Sequence, residues 1–257
     1  SLVPISIALV LLAIRGSYYA FEAYSGARGH KGYAFAYGVS GLFIPAALSV
    51  VLTISEGGFI KMVDGNPQLD YVALFTSQLS WSIVVLAVVA VLYISSVFLT
   101  WYASRAGDES ASELMRKYAL IWAGPLILAA FGIIIEMRAV HNWHYENMLN
   151  LWWLFVISGI LFIVTIWLIG NRKRYGVAVV LLILQFATAF YAYGISHYPY
   201  LLYPYLSIED SFTSEAMAIA LVVAFVAGLA LLIPSLYLVI KLFFTKDYVS
   251  GKDETHV

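Results

Sequence analysis

Residues 2–24 read LVPISIALVLLAIRGSYYAFEAY. Roughly 20 mostly apolar residues suffice to cross a bilayer core, so this run predicts a membrane-spanning helix. Arg15 stands inside it. A guanidinium keeps its charge at any relevant pH. Within a spanning helix that charge costs roughly 2.5–3.5 kcal/mol on insertion scales, so it faces protein, water or a partner charge. Glu22 returns to the same face about two helical turns later. Arg15 lies about 20 Å along the helix from Leu2, some 10 Å short of the cytoplasmic face. From there its stem is able to snorkel. Snorkelling and a specific ion pair both stand as readings. The run opens at the first residue without Met, which predicts a chain lacking its first segments, with the carboxylate partner of Arg15 on those segments.

The rest of the sequence extends this reading. Hydrophobic residues make up 62% of the chain and charged residues 11%, with a mean hydropathy of +0.87. A soluble domain carries about 25% charged residues, so the chain is an integral membrane protein. Seven apolar segments qualify as spans, at about 2–24, 33–55, 72–103, 117–137, 151–169, 176–196 and 215–243. They predict an all-α polytopic helix bundle, a single transmembrane domain over 1–257 with antiparallel sequence neighbours. Pro4, Pro45, Pro125 and Pro234 fall within spans, where neighbouring helices re-satisfy freed backbone groups. Ser110-Ala-Ser-Glu113 has capping-box spacing ahead of the fourth span. No signal-peptide pattern opens the chain.

Basic residues set the orientation. Arg28, Lys31, Arg105, Arg116, Lys117, Arg172, Lys173, Arg174, Lys241, Lys246 and Lys252 follow the odd-numbered spans, against Lys61 and Arg138 on the other side. The rich side is cytoplasmic by the positive-inside rule, which puts the C-terminus inside. The outer loops are then DGNPQLD (64–70) and SHYPYLLYPYLSIEDSF (196–212).

The chain has no cysteine, which excludes iron–sulfur clusters, thiolate haem ligation and disulfides. A haem inside a membrane bundle needs an imidazole projecting from a span. His30, His141, His144, His197 and His256 all lie in loops, at helix ends or in the tail, so no haem or other cofactor is expected on this chain. His141-x-x-His144-x-Glu146 allows a zinc or copper reading, but a third His or Cys is absent nearby in sequence and a polar interfacial loop is preferred. His197 lies in the last outer loop. Tyr198, Tyr200, Tyr203 and Tyr205 could line a quinone entrance, though aromatic-belt placement is the commoner role. Glu56 and Glu136 sit near the outer ends of spans two and four, as proton-route candidates or, by preference, solvated helix ends. Gln185 and the Gln78–Ser80–Ser82 group offer interhelical hydrogen bonds. No catalytic residue and no nucleic-acid-binding feature is evident.

Several stretches resemble subunit II of the cytochrome bd-type quinol oxidases. LLAIRGSYYAFEAYSG resembles that family's third membrane segment, and YAFAYGVSGLFIPAALSVVLTISEGGF (33–59) its next helix. SSVFLTWYASRAGDESASELMRKYA is similar to the following cytoplasmic hairpin, and GISHYPYLLYPYLSIEDSFT…LLIPSLYLVIKLFF (194–244) to the final outer loop and last helix. The likeness runs through essentially the whole chain and is nearest the shorter Firmicute-like members, without the family's two N-terminal helices and their acidic-glycine stretch. It implies a haem-free subunit of a bacterial or archaeal plasma-membrane complex that oxidises quinol and reduces dioxygen to water. The resemblance implies haem b and haem d in the partner, subunit I, and leaves room for a small accessory subunit. Arg15 and Glu22 would organise the bundle. A seven-helix secondary transporter and a quinone-binding anchor of another respiratory enzyme are the alternatives. A transporter of that kind usually shows inverted repeats, which are not evident.

Overall fold

The computed structural model describes residues 2–24, 31–63, 66–209 and 214–244. His30 and His256, with Arg28, Lys246 and Lys252 of the orientation argument, lie outside the described residues. Helix α1 (Leu2–Tyr24) packs on α2 (Lys31–Ser55). A hairpin of β1 (Ile60–Val63) and β2 (Asn66–Leu69) follows, pairing Ile60 with Leu69. Then come α3 (Tyr71–Thr76), α4 (Gln78–Ala106) and α5 (Glu109–Val140). The short α6 (Asn142–Asn150) leads to α7 (Trp152–Gly170) and α8 (Tyr175–Ser196). A second small hairpin, β3 (Tyr200–Leu202) and β4 (Leu206–Ser207), precedes α9 (Glu215–Phe244).

Among the described residues, six helices are long and apolar enough to cross a membrane: α2, α4, α5, α7, α8 and α9. The expected seventh, α1, is helical throughout, but its described apolar part is Val3–Tyr18, short of a full crossing. The expectation of an unbroken span over 72–103 is corrected as well. Ser77 adopts extended backbone (ψ 128) and ends α3, and its hydroxyl then accepts from Ser80 N to start α4. The purely α prediction also missed the two hairpins. Both form in the polar connectors, where free backbone groups have no helix to satisfy them. At the start of α5 the capping residue is Asp108, whose carboxylate accepts from Ala111 N at 2.9 Å. Ser110 and Glu113 therefore make no capping box. Glu113 instead accepts from Arg116 at 2.7 Å and from Arg172 at 3.1 Å, which ties the start of α5 to the loop after α7 at one end of the bundle.

The core lies among α4, α5, α7 and α8. Tyr93 and Val97 of α4 meet Ala119, Ala123 and Leu126 of α5, Phe162 and Ile169 of α7, and Ala178 and Leu182 of α8. Small residues at such seams let backbones approach closely, which is how helices gain contact in lipid. Ser158 donates to the Gln185 backbone carbonyl at 3.1 Å, whereas the Gln185 side-chain oxygen has no partner. The polar bond at this seam is thus made by serine rather than by the glutamine amide. Helix α4 touches α2, α5 and α8 and is the centre of the assembly. Helix α9 buries none of its described side chains.

Candidate functional site

At the end of the bundle where α2 stops and α8 stops, the chain gathers its buried polar groups. Glu56 follows the last residue of α2 and is 0% exposed. The preference for a solvated helix end at Glu56 is therefore overturned. His144, on α6, places Nδ1 at 2.9 Å from both Glu56 oxygens. Tyr193, on α8, donates its hydroxyl to Glu56 Oε1. His144 Nε2 lies 2.7 Å from Ser196 Oγ, and that hydroxyl donates to the Tyr193 carbonyl at 2.8 Å. Asn147 adds a bond from its side-chain amide to the Ser196 carbonyl at 3.1 Å.

The protonation pattern follows from this geometry. Burial opposes charge on Glu56, but the His144 bond, the Tyr193 bond and the nearby His197 more than offset it and hold the carboxyl below its usual range. An ionised carboxylate only accepts, so the proton between it and His144 sits on Nδ1. His197 caps the end of α8 with Nδ1 at 3.7 Å from Glu56 Oε1. Burial pushes its imidazole pKa down, against the pull of Glu56, with His144 adding to the fall and the Ser55 carbonyl opposing it. Neither ring nitrogen of His197 makes a well-formed hydrogen bond.

An aromatic wall closes the cluster. Trp143 stacks on His144 (5.1 Å, 24°) and on Tyr203 (4.3 Å, 12°), with Tyr200 edge-on at 5.5 Å. The four loop tyrosines thus divide. Tyr200 and Tyr203 face the cluster, whereas Tyr198 and Tyr205 are exposed. Gly57 makes the close approach feasible. Its φ of +88° suits glycine, and a Cβ there would overlap the Tyr203 carbonyl. The Tyr203 amide in turn donates to the Ser55 carbonyl at 3.0 Å, binding the last loop to the end of α2.

The candidates from sequence fall into three groups. Glu56, His144 and His197 converge, with ligand atoms within 4.8 Å of one another. His141 is buried beside them as the cap of α5, its imidazole pushed down by burial, while Glu56 pulls the other way. Glu146 turns away and accepts from Asn142 at 2.6 Å on the surface, so the companion of His144 is Glu56, not Glu146. Glu136 is half-buried on α5 and makes no hydrogen bond or ion pair with the cluster. Arg15 is separate. It donates to the Tyr37 hydroxyl at 3.0 Å and lies 4.1 Å from the Tyr37 ring centroid. A Cβ at Gly41 would overlap its guanidinium. Arg15 therefore has a partner on α2, the hydroxyl and ring of Tyr37. Glu22 lies on α1, and its side chain is outside the description.

Tyr193, Ser196 and Trp143 escaped the sequence reading. A signal was present: Tyr193, Ser196 and His197 are spaced i, i+3, i+4 and so share one face of α8. Comparison with known proteins agrees with this architecture. The chain is 34% identical to the putative cytochrome bd menaquinol oxidase subunit II of Bacillus subtilis over 262 residues, covering 98% of this chain and 75% of the relative. It also matches a chain in the structure of bd oxidase from Geobacillus thermodenitrificans, with a TM-score of 0.81 and 60% identity, covering 94% of this chain and 73% of that one. These likenesses set aside the transporter and the anchor of another respiratory enzyme. With a family model for cytochrome bd terminal oxidase subunit II matching residues 1–243, the chain belongs to the cytochrome bd terminal oxidase subunit II family.

Proposed function

We propose that this chain is the haem-free, non-catalytic subunit of a quinol oxidase, supporting a haem-bearing subunit I that oxidises quinol and reduces dioxygen to water. The name of the Bacillus subtilis relative supports menaquinol as the substrate class. One observation carries the reading of this chain's own part. Its three described histidines sit together at one end of the bundle, two of them around a buried Glu56, and none projects from the middle of a span where a haem would need it. The cluster joins α2, α6 and α8 into one rigid end. Arg15 and Tyr37 fasten α1 to α2, an assembly role in which Glu22 would share. Glu136 and Glu56 are the residues through which a proton route would pass, with Glu56 held by its partners in a structural role. The C-terminus is read as cytoplasmic, from the basic residues clustered at the Glu113–Arg172 end.

The test is the haem content of the purified complex. His144→Gln should reduce the yield of complex while leaving haem b and haem d per assembled complex unchanged. Loss of one haem band from a complex that still assembles would overturn the haem-free reading. Arg15→Leu should lower assembled haem d absorbance, and normal content with normal turnover would remove Arg15 from assembly.

A further inference from the structure

His197 is the ionisable cluster member that the hydrogen-bond network holds least firmly. It is 9% exposed and faces Glu56, and although the Ser55 carbonyl and Glu56 both act on it, neither ring nitrogen makes a well-formed hydrogen bond. Leaving a buried polar group so is unfavourable unless something else engages it. We propose that Glu56, His144 and His197 form a binding site for a divalent transition-metal ion, of the two-histidine, one-carboxylate type that suits zinc. This inference goes beyond the support role proposed above, which needs only the hydrogen bonds.

The geometry is close to what such an ion demands. Tetrahedral coordination at bonds of roughly 2.0–2.1 Å sets ligand atoms about 3.4 Å apart. The His144 Nδ1 to Glu56 Oε1 separation is 2.9 Å and the His197 Nδ1 to Glu56 Oε1 separation is 3.7 Å. These bracket the required value, and all three candidate ligand atoms lie within 4.8 Å of one another, so side-chain movements on the order of 1 Å bring them to it. In the metal-free arrangement the proton on His144 Nδ1 occupies the place the ion would take.

The surrounding groups are those a metal site needs. When Nδ1 binds metal its proton is released and the ring keeps a proton on Nε2, which requires an acceptor there. Ser196 Oγ is that acceptor at 2.7 Å, because its own hydrogen already points to the Tyr193 carbonyl. Tyr193 donates to Glu56 Oε1 and steadies the carboxylate, whose oxygens keep further lone pairs for an ion. Trp143, stacked on Tyr203, lies over the His144 ring and stands 5.3 Å from that of His197. Three protein ligands leave a fourth position for a water molecule.

The experiment uses the purified oxidase complex containing this chain, dialysed against a chelator and re-equilibrated with micromolar zinc. Bound zinc is counted by mass spectrometry in wild type and in His197→Gln, which removes a ligand without removing a well-formed hydrogen bond. The expected result is one more zinc per wild-type complex, with affinity at least about tenfold weaker in the variant. Equal zinc in both, or no uptake by wild type, overturns the proposal. Should His197→Gln not assemble, zinc-edge X-ray absorption on wild type decides. Imidazole nitrogens at about 2.0 Å support the site, and an oxygen-only shell overturns it.

Discussion

Arg15 and Glu56 are both charged groups attached to apolar helices, and the chain treats them in opposite ways. Glu56 is fully enclosed and receives bonds from two different helices, α6 and α8. Arg15 is half-buried and, among the described residues, rests on one aromatic residue of the adjacent helix. The difference follows from the chemistry of each ion. A carboxylate accepts only, and it is small, so enclosing it requires donors aimed from several directions. A guanidinium is planar, weakly hydrated and attracted to a ring face, and its stem reaches toward water. One anion can therefore organise several elements, whereas one cation here joins a pair.

Removing the partner of the enclosed charge should have the largest effect. His144→Leu leaves Glu56 buried with much of its support gone, at a cost of about 3–5 kcal/mol. Thermal loss of haem from the complex would report it. The double change Glu56→Leu with His144→Leu should recover most of that loss, because an apolar pair needs no donors. Failure of the double variant to recover would mean that the charge pair itself is required.

Gly57→Ala tests the loop that closes over the same end. It forces a Cβ into a left-handed conformation and against the Tyr203 carbonyl. A penalty of about 1–3 kcal/mol is expected, read as a lower melting temperature and as faster proteolysis in the 198–207 loop. On the Arg15 side, Tyr37→Phe keeps the ring and loses the hydroxyl. It should cost only about 0.5–1.5 kcal/mol, measured as a small fall in complex stability. An effect as large as that of His144→Leu would erase the contrast between the two charges.

The smallest effect is expected at the β1–β2 hairpin. Asp70 pairs with Lys61 and caps α3 through Ala73 N. The Lys61 bond, then the Ala73 amide, hold its carboxyl below the usual range. A carboxyl with a depressed folded pKa stabilises above its unfolded value and loses that contribution as pH falls through the folded one. Protection of the Ala73 amide, corrected for intrinsic exchange, should therefore decline on acidification below the ordinary carboxylate range. Asp70→Asn should remove that decline.

Helix placement was the most legible part of the sequence, because apolar run length is a property of the local chain. Leu2–Tyr24 and Glu215–Phe244 could be read directly from their composition. The break at Ser77 could not, since serine is common in membrane helices and only its cap to Ser80 distinguishes it. The site was legible in its members and not in its assembly. Glu56, His144 and His197 were each visible as ionisable groups at helix ends. Their convergence depends on how α2, α6 and α8 pack, and His144 is 88 positions from Glu56. Periodicity carries no information over that distance. The same limit put Glu146, two positions from His144, into the metal-ligand pattern and left Glu56 out of it.

The spacing within the cluster sets a timetable for the ribosome. Glu56 is synthesised 88 residues before His144 and 137 residues before Tyr193. Through that interval none of its donors exists, and the end of α2 carries a carboxyl that waits for partners on helices still to be made. Synthesis of α8 is therefore the step that completes this end of the bundle.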